Sequence, residues 1–357
     1  MTFESMLEDF ERRDWETGVS GTLRFAVIGI GWWTLEQAIP AIEESDNCET
    51  TVAVSSSTEK AERVVSQFET ISRGLTYDEF HDGDAAAAYD AVYICSPNAL
   101  HLPYAKTAAR LGKAVLCEKP MEANVERAAE MRDVCSDADV PLMIGYRMQV
   151  EPAIRQSREL IRNGAIGDPV LGLGNNSQSI LELTDDPNQW RLNPELAGRG
   201  ASVTDIGIYP LNTARFLLDA DPVAAQAFMH SPDGPFDEVP DEHTAFTLSF
   251  DDGSYISCTA SQSAHAATSL RIIGTEGELY IEPAFHLETK VRLTRGTDII
   301  EISPPQVNQM TELFDYFADC VLSGRDIGPD GQHGVLDMRA IEAVYDAAAS
   351  KRTTLIK

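Results

Sequence analysis

Between residues 23 and 147 the chain alternates short, continuously apolar runs with segments of helical periodicity, a grammar that few folds accept. The runs are Leu23–Ile28, Thr50–Val54, Ala91–Cys95, Ala114–Cys117 and Pro141–Gly145. A run of this length without polar alternation suits a strand covered on both faces. Strand, helix, strand in repetition builds a parallel sheet, because each crossover has room for a helix. The helical segments are 34–44 (with Pro40 bending it), about 59–68, from an N-cap at Asn98 to Leu111 with Gly112 after it, and 125–137. The expectation is a doubly wound α/β sheet of five strands, with the loops 29–34, 55–60, 96–101, 118–120 and 146–147 on one edge.

After about residue 150 the pattern changes. A helix over 152–162 is followed by strand-like runs at 168–174, 244–250, 254–261, 268–273 and 278–281, several joined by short turns such as Asp251-Asp252-Gly253-Ser254. Helices over about 307–322 and 335–349 close the chain. This predicts a second, α+β domain built on an open, largely antiparallel sheet. A chain of 357 residues is long enough for about two domains. The expected division is an acidic N-terminal arm (1–21, with Phe3, Met6, Leu7 and Phe10 at helical spacing), a dinucleotide-binding domain (22–147) and a substrate and oligomerisation domain (148–357).

The charge excludes some partners. A net charge of −29 argues against nucleic acid, which needs a basic surface, and against anionic membranes. Excess carboxylate with only seven lysines is the balance of a surface adapted to molar salt, where screening makes self-repulsion tolerable. No run of about 18 apolar residues is present, and the acidic start has no charged-then-apolar export signal. The six cysteines include no closely spaced pair, which suits buried thiols in a reducing, cytoplasmic setting and not a disulfide framework or metal site.

The strand-end loops carry the candidate chemistry. Gly29-Ile30-Gly31-Trp32-Trp33-Thr34 lies between a strand and a helix. Its first glycine permits a tight turn, and its second lets a pyrophosphate approach the backbone at the helix N-terminus. Thr34 stands where the third glycine of that fingerprint is expected, so helix–strand packing there must differ. The next strand ends in Ser55-Ser56-Ser57-Thr58-Glu59-Lys60. An NAD site has an acid at this point for the ribose 2′-hydroxyl. Hydroxyls and a cation suit a 2′-phosphate, so NADP is the expected cofactor, the bland alternative being serines that only cap a helix. Ser96-Pro97-Asn98-Ala99-Leu100-His101 follows the third strand, with Ser96, Pro97, Asn98, Leu100 and His101 as candidate cofactor contacts and His101 facing either the cofactor crevice or solvent. The fourth strand runs into Glu118-Lys119-Pro120, and the fifth ends at Tyr146-Arg147. In the second half, Gln189-Trp190-Arg191-Leu192 precedes a glycine-bearing loop and a helix with Asp205 and Tyr209 four apart on one face.

Glu118-Lys119-Pro120 together with Asp205-Ile206-Gly207-Ile208-Tyr209 resembles the Gfo/Idh/MocA oxidoreductase family, over nearly the whole chain from Leu23. Ile144-Gly145-Tyr146-Arg147, Gln189-Trp190-Arg191-Leu192 and Glu195-Leu196-Ala197-Gly198 are similar to its glucose–fructose oxidoreductase branch. The resemblance implies a dinucleotide-binding domain followed by an open antiparallel sheet, association through that sheet as a homodimer or homotetramer, and oxidation of a sugar. It also implies a cofactor site that includes Glu118, Lys119 and Arg147, and a substrate site of Lys119, Arg147, Trp190, Arg191, Asp205 and Tyr209. The serine and lysine that the branch carries after strand two fall on Ser55 and Lys60, which supports NADP.

Oxidising a sugar hydroxyl requires a group to take its proton while hydride leaves the same carbon. Free tyrosine titrates near ~10, and a neighbouring cation favours its phenolate. Tyr209 is therefore assigned as the base and Lys119 as the cation beside it, with Lys119 as acceptor the rival assignment. Asp205 holds a substrate hydroxyl or orients Lys119. The expected reaction is NADP-dependent oxidation of an aldose of the D-xylose or D-glucose type at C1 to the lactone. The alternatives are an aldose–ketose oxidoreductase that retains its NADP, or a non-catalytic sugar or dinucleotide sensor.

Overall fold

The computed structural model describes residues 10, 13, 15 and 18–357, apart from 185, 187, 286, 287 and 303–305. Most of the expected N-terminal arm, including Phe3, Met6 and Leu7, lies outside the described residues. Two compact units are formed, one of Trp15–Arg147 with Asn308–Val335, the other containing Met148–Val307 and Leu336–Lys357.

The first unit is built on a six-stranded sheet, in the order β3-β2-β1-β4-β5-β6. Its strands are β1 (Leu23–Ile28), β2 (Cys48–Ser55), β3 (Arg73–Thr76), β4 (Ala91–Ile94), β5 (Ala114–Cys117) and β6 (Leu142–Ile144). Every neighbouring pair is parallel. Val27, Ile28, Val54, Val92 and Ile94 are fully buried, each contributing about 1.5–3 kcal/mol through removal of its side chain from water. The connecting helices are α1 (Ile39–Glu43), α2 (Thr58–Gln67), α3 (Tyr77–Asp82), α4 (His101–Arg110) and α5 (Val125–Asp137). Ser57 caps α2 and Asn124 caps α5, each accepting a backbone N–H.

The sheet has one strand more than the sequence pattern predicts, so the Glu118-Lys119-Pro120 turn follows the fifth strand and Arg147 the sixth. The extra strand, β3, reads Arg-Gly-Leu-Thr and buries only Leu75. It joins through ladder bonds to β2 without an apolar run to announce it. Two helix starts differ as well. The segment after the glycine turn opens with a π-helical turn, Thr34–Ala38, before α1. Asn98–Leu100 is a short 3-10 turn, and α4 begins at His101 with Leu100, not Asn98, at its N-cap position.

The second unit carries a nine-stranded sheet, in the order β14-β13-β12-β11-β7-β10-β9-β8-β15. Its central strands are β7 (Pro169–Ser179), β8 (Pro222–His230), β9 (His243–Phe250), β10 (Tyr255–Ser261) and β11 (Ser263–Gly274). The sheet is completed by β12 (Gly277–Ile281), β13 (Val291–Arg295), β14 (Asp298–Ile302) and β15 (Thr354–Leu355). Only β7 and β10 pair in parallel; the other pairs are antiparallel. Its helices are α6 (Pro152–Arg162), α7 (Ile180–Thr184), α8 (Pro194–Ala197) and α9 (Ile208–Leu218). α9 packs on α6 and on β7. Leu173 and Phe228 instead line an open depression on the sheet, Phe228 with 83% of its surface exposed.

Residues 308–335 belong to the first unit, although the sequence pattern groups them with 148–357. α10 (Gln309–Ser323) sets Phe314 edge-on to Phe25 of β1 (centroids 5.4 Å) and to Tyr93 of β4 (5.1 Å). Its Phe317 lies 6.0 Å from the Phe25 ring. Trp15, nominally in the arm, packs edge-on to Tyr316 of the same helix and is 2% exposed. α11 (Gly331–Ser350) ends the chain's helical content. No helix among the described residues is long and apolar enough to cross a membrane.

Candidate active site

In the first unit the glycine turn is shaped by two different demands. Gly29 has φ +92°, and a Cβ there would lie 2.1 Å from the Cys95 carbonyl oxygen, so only glycine fits between β1 and β4. A Cβ on Gly31 would meet nothing within 4 Å; this residue faces open space just before the helical segment that begins at Trp32. That is the cradle a dinucleotide pyrophosphate requires. Thr34 is fully buried, and its hydroxyl donates to the Gly29 carbonyl at 2.6 Å. A side-chain bond thus braces the turn where a third glycine would have allowed closer packing. Ile30 and Trp33 are half-buried, while Trp32 is 69% exposed.

At the end of β2, Ser55 is buried, Ser56 and Lys60 are exposed, and Ser57 accepts from the Lys60 N–H as the cap of α2. The capping alternative therefore accounts for Ser57 and leaves Ser55, Ser56 and Lys60 to be explained. The nearest acid, Glu59, is exposed and paired with Arg63 at 3.2 Å. A 2′-phosphate suits this set of hydroxyls and a cation better than a 2′-hydroxyl seeking a carboxylate. The unexpected β3 brings the half-buried Tyr77 just past its end.

The loops after β4 and β5 are tied together. Ser96 and Pro97 are half-buried and Asn98 is buried. His101 faces neither of its expected directions: it is fully buried, with Nδ1 3.2 Å from the Met121 carbonyl and Nε2 2.9 Å from that of Ser96. Glu122, which sequence pattern does not single out, is also fully buried. Its carboxylate accepts from the Leu102 N–H (3.3 Å), the Ala123 N–H (2.6 Å) and Arg127 (2.7 Å). Arg127 also donates to the Ala99 carbonyl at 2.7 Å. The only sequence signal for this clamp is an acid five residues before an arginine at a helix start.

Glu118 accepts from the Tyr93 hydroxyl at 2.8 Å and from the Lys119 backbone N–H at 3.2 Å. Burial, reinforced by Cys95 and Glu118, pushes the Tyr93 phenol well above its ordinary range, so it stays a donor to Glu118. The half-buried Lys119 precedes a cis peptide bond to Pro120. Arg147, which opens the 3-10 turn after β6, donates to the Gln309 side chain, and its guanidinium lies 5.9 Å from the Trp33 ring centroid.

In the second unit a π-helical turn, Val203–Gly207, runs into α9, so Asp205 and Tyr209 straddle a change of helical pitch. Pro210 has no N–H to offer the Ile206 carbonyl four residues earlier, and Asn176 of β7 donates to that carbonyl instead, at 3.1 Å. The start of the turn is held by the buried Asp241. Its carboxylate accepts from the N–H groups of Ala201 (2.7 Å) and Val203 (2.8 Å) and from the Tyr345 hydroxyl (2.7 Å). Burial raises this carboxyl above the usual aspartate range despite the bonds that lower it. A Cβ on Gly200 would come within 2.2 Å of Asp241 Oδ1.

Asp205 Oδ2 accepts from Arg191 Nε at 3.1 Å and from Gln262 Nε2 at 2.9 Å. The Arg191 guanidinium covers the Trp190 ring, 4.5 Å from its centroid. The half-buried Tyr209 ring lies 6.0 Å from that of Phe285. Within this unit Trp190, Arg191 and Asp205 are brought together, with Tyr209 one turn further along. Lys119 and Arg147 belong to the other unit.

Residues 23–146 match the model of the GFO/IDH/MocA oxidoreductase family with an NAD-binding Rossmann fold, and residues 154–280 match the GFO/IDH/MocA C-terminal domain. A D-xylose 1-dehydrogenase [NADP(+)] from Haloarcula marismortui is 51% identical, over 99% of both chains. A D-xylose 1-dehydrogenase (NADP(+)) 2 from Haloferax volcanii is 29% identical, over 91% of this chain and 97% of its own. The crystal structure of an aldose-aldose oxidoreductase from Caulobacter crescentus, complexed with glycerol, superposes with a TM-score of 0.88 at 32% identity, covering 94% of this chain and 99% of that one. A glycine turn on a doubly wound sheet, a lysine before a cis-proline, and matches to both domain models agree: the chain belongs to the Gfo/Idh/MocA family of oxidoreductases.

Proposed function

We propose that the chain is an NADP-dependent aldose 1-dehydrogenase that oxidises D-xylose, or an aldose of the same type, at C1 to the lactone. The observation that carries this reading is the 51% identity over 99% of the chain to a D-xylose 1-dehydrogenase [NADP(+)]. The hydroxyl-and-lysine end of β2, whose neighbouring acid is paired elsewhere, supports NADP over NAD. Bound NADP+ supplies the hydride acceptor for C1. The chain's own residues bind, orient and deprotonate. Gly29, Ile30, Gly31, Trp32 and Trp33 receive the pyrophosphate; Ser55, Ser56 and Lys60 receive the 2′-phosphate; the 96–101 loop, Glu118 and Arg147 frame the rest of the cofactor.

Tyr209 accepts the proton of the anomeric hydroxyl, and Lys119 of the first unit is assigned to the same proton-transfer chemistry. Asp205, which already accepts from Arg191, takes a second sugar hydroxyl as an acceptor. Trp190 and Arg191 offer a flat surface to the pyranose. A second reading, an oxidoreductase that keeps its NADP and reduces another sugar in the return half-cycle, is favoured by the likeness to the aldose-aldose oxidoreductase. The exposed Leu171, Leu173, Tyr255 and Phe228 of the second unit support association of two or four copies through this sheet. None of the six cysteines is in a disulfide, which supports a cytoplasmic location, and the −29 charge supports operation in molar salt.

The test is reduction of NADP+ and of NAD+ with a panel of pentoses and hexoses, at low salt and in molar KCl. Cofactor that stays with the protein through gel filtration, with turnover only when a second sugar is added, would favour the second reading.

A further inference from the structure

We infer that Gln262 is a positioning residue for the aldose, holding the Asp205 carboxylate in the orientation that receives a substrate hydroxyl. The inference deepens the aldose dehydrogenase reading and rests on it. Gln262 stands between the end of β10 and the start of β11 and is fully buried. Its backbone is fixed on both sides: its N–H donates to the Glu242 carbonyl at 3.1 Å, and its carbonyl accepts from the Ile180 N–H at 2.8 Å.

The side chain is as constrained. Nε2 donates to Asp205 Oδ2 at 2.9 Å and lies 3.5 Å from the Ala201 carbonyl, so both contacts of this nitrogen are acceptors. Oε1 accepts from Gln178 Nε2 at 2.9 Å. The amide has one orientation that suits all three neighbours, since a flipped group would set oxygen against the carboxylate and nitrogen against the Gln178 donor. The bonds therefore run in one direction, from Gln178 to Gln262 to Asp205, with Arg191 donating to the same oxygen from another side.

The two donors to Asp205 differ in kind. The Arg191 side chain is 30% exposed and rests on Trp190, so it is free to adjust when a sugar arrives. Gln262 is enclosed, and its position is set by strand ends far apart in sequence. An enclosed neutral donor fixes the carboxylate without adding charge beside it. Burying an amide costs free energy unless its polar atoms are bonded, and here its side-chain bonds lead to Asp205, Ala201 and Gln178.

Gln262→Met keeps the volume and removes the donor. Gln178→Met, at a half-buried position, removes only the outer bond and guards against a folding defect in the first variant. Steady-state kinetics are measured for wild type, both variants and Asp205→Asn, with D-xylose, its epimers and monodeoxy analogues. Gln262→Met is expected to lose roughly ten- to a hundredfold in kcat/KM for the aldose, the size of one hydrogen bond to a charged group, with KM for NADP+ unchanged. It should also lose preference for the same hydroxyl that Asp205→Asn ceases to recognise, and Gln178→Met should show a smaller loss in the same direction. Wild-type aldose KM and epimer ratios in Gln262→Met overturn the inference. So does a loss that appears only as a smaller active fraction with every KM unchanged. Absence of aldose turnover in the wild type would sink the functional reading instead. The positioning claim is then decided by the crystal structure of Gln262→Met: an Asp205 carboxylate turned from its wild-type rotamer supports it, and an unmoved one overturns it.

Discussion

Asp337→Asn should be the most destabilising single-charge change in the second unit, and the geometry gives its size. Asp337 is fully buried and Arg215 is 4% exposed; their side chains pair at 2.6 Å. The other Asp337 oxygen accepts from Asn212 Nδ2 at 2.6 Å. Asn212 cannot turn to adapt without losing Gln149, which donates to its Oδ1 at 3.1 Å. An asparagine at 337 must therefore set its NH2 against a donor, either Arg215 or Asn212. It also deprives the buried guanidinium of its fully buried carboxylate, whereas Asp221, which it also pairs with, is partly exposed. Breaking a buried pair from one side costs about 3–5 kcal/mol. With a urea m-value of about 3 kcal/mol/M, the midpoint for this unit falls by at least ~1 M. Asp219→Asn is the internal control. That carboxylate is 61% exposed, pairs with Arg158 and Arg162, and sits at a left-handed φ of 56° that asparagine tolerates, so its loss should cost under about 1 kcal/mol. Urea melts followed by circular dichroism compare the two. Equal midpoints would refute the claim that the buried network, and not the surface pairs, holds α9 in place.

Three further outcomes are expected. Gly29→Ala should destabilise the first unit by more than ~2 kcal/mol, since it combines φ +92° with a 2.1 Å approach to a carbonyl, whereas Gly31→Ala should melt like wild type yet bind NADP at least ~10-fold more weakly; titration calorimetry and thermal melts separate the two, and identical behaviour would remove the pyrophosphate role of Gly31. Lys119→Ala should cut turnover by orders of magnitude with NADP affinity largely kept, and retained turnover would take the lysine out of the chemistry. The Arg24 guanidinium, bonded to Asp90, holds that carboxyl below the usual aspartate range. The stability this pair contributes is therefore present above the ordinary aspartate range and is lost as pH falls through the lower, folded-state value of Asp90. Asp90→Asn should flatten that acid limb in urea midpoints measured from mildly acidic pH down through and below the ordinary aspartate range, and an unchanged limb would contradict the assignment.

The parts of the fold that were legible in sequence are those with strong local signals. β1, the glycine turn and the helix Val125–Asp137 stand out because apolar runs, glycines and helical periodicity act within a few residues. β3 was not legible, since one buried leucine in four residues is no pattern and its place depends on pairing with β2. β8 hides for a related reason: Val223 and Phe228 lie exposed on the open sheet, so alternation does not track burial. The π turns before α1 and α9 depart from the ordinary helical pitch, and periodicity of 3.6 cannot announce them. The candidate site divides the same way. Lys119, Asp205 and Tyr209 sit in recognisable motifs, but Gln262 and Gln178 lie in polar stretches and meet only because strands 84 residues apart end side by side.

The most direct test of the central claim is the initial rate of NADPH formation from NADP+ and D-xylose by the purified protein in molar KCl. Saturable turnover with D-xylose, a much lower rate with NAD+, and loss of activity at low salt are the expected results. Tight NADP binding with no turnover on D-xylose or any other aldose, at any salt concentration, would contradict that claim.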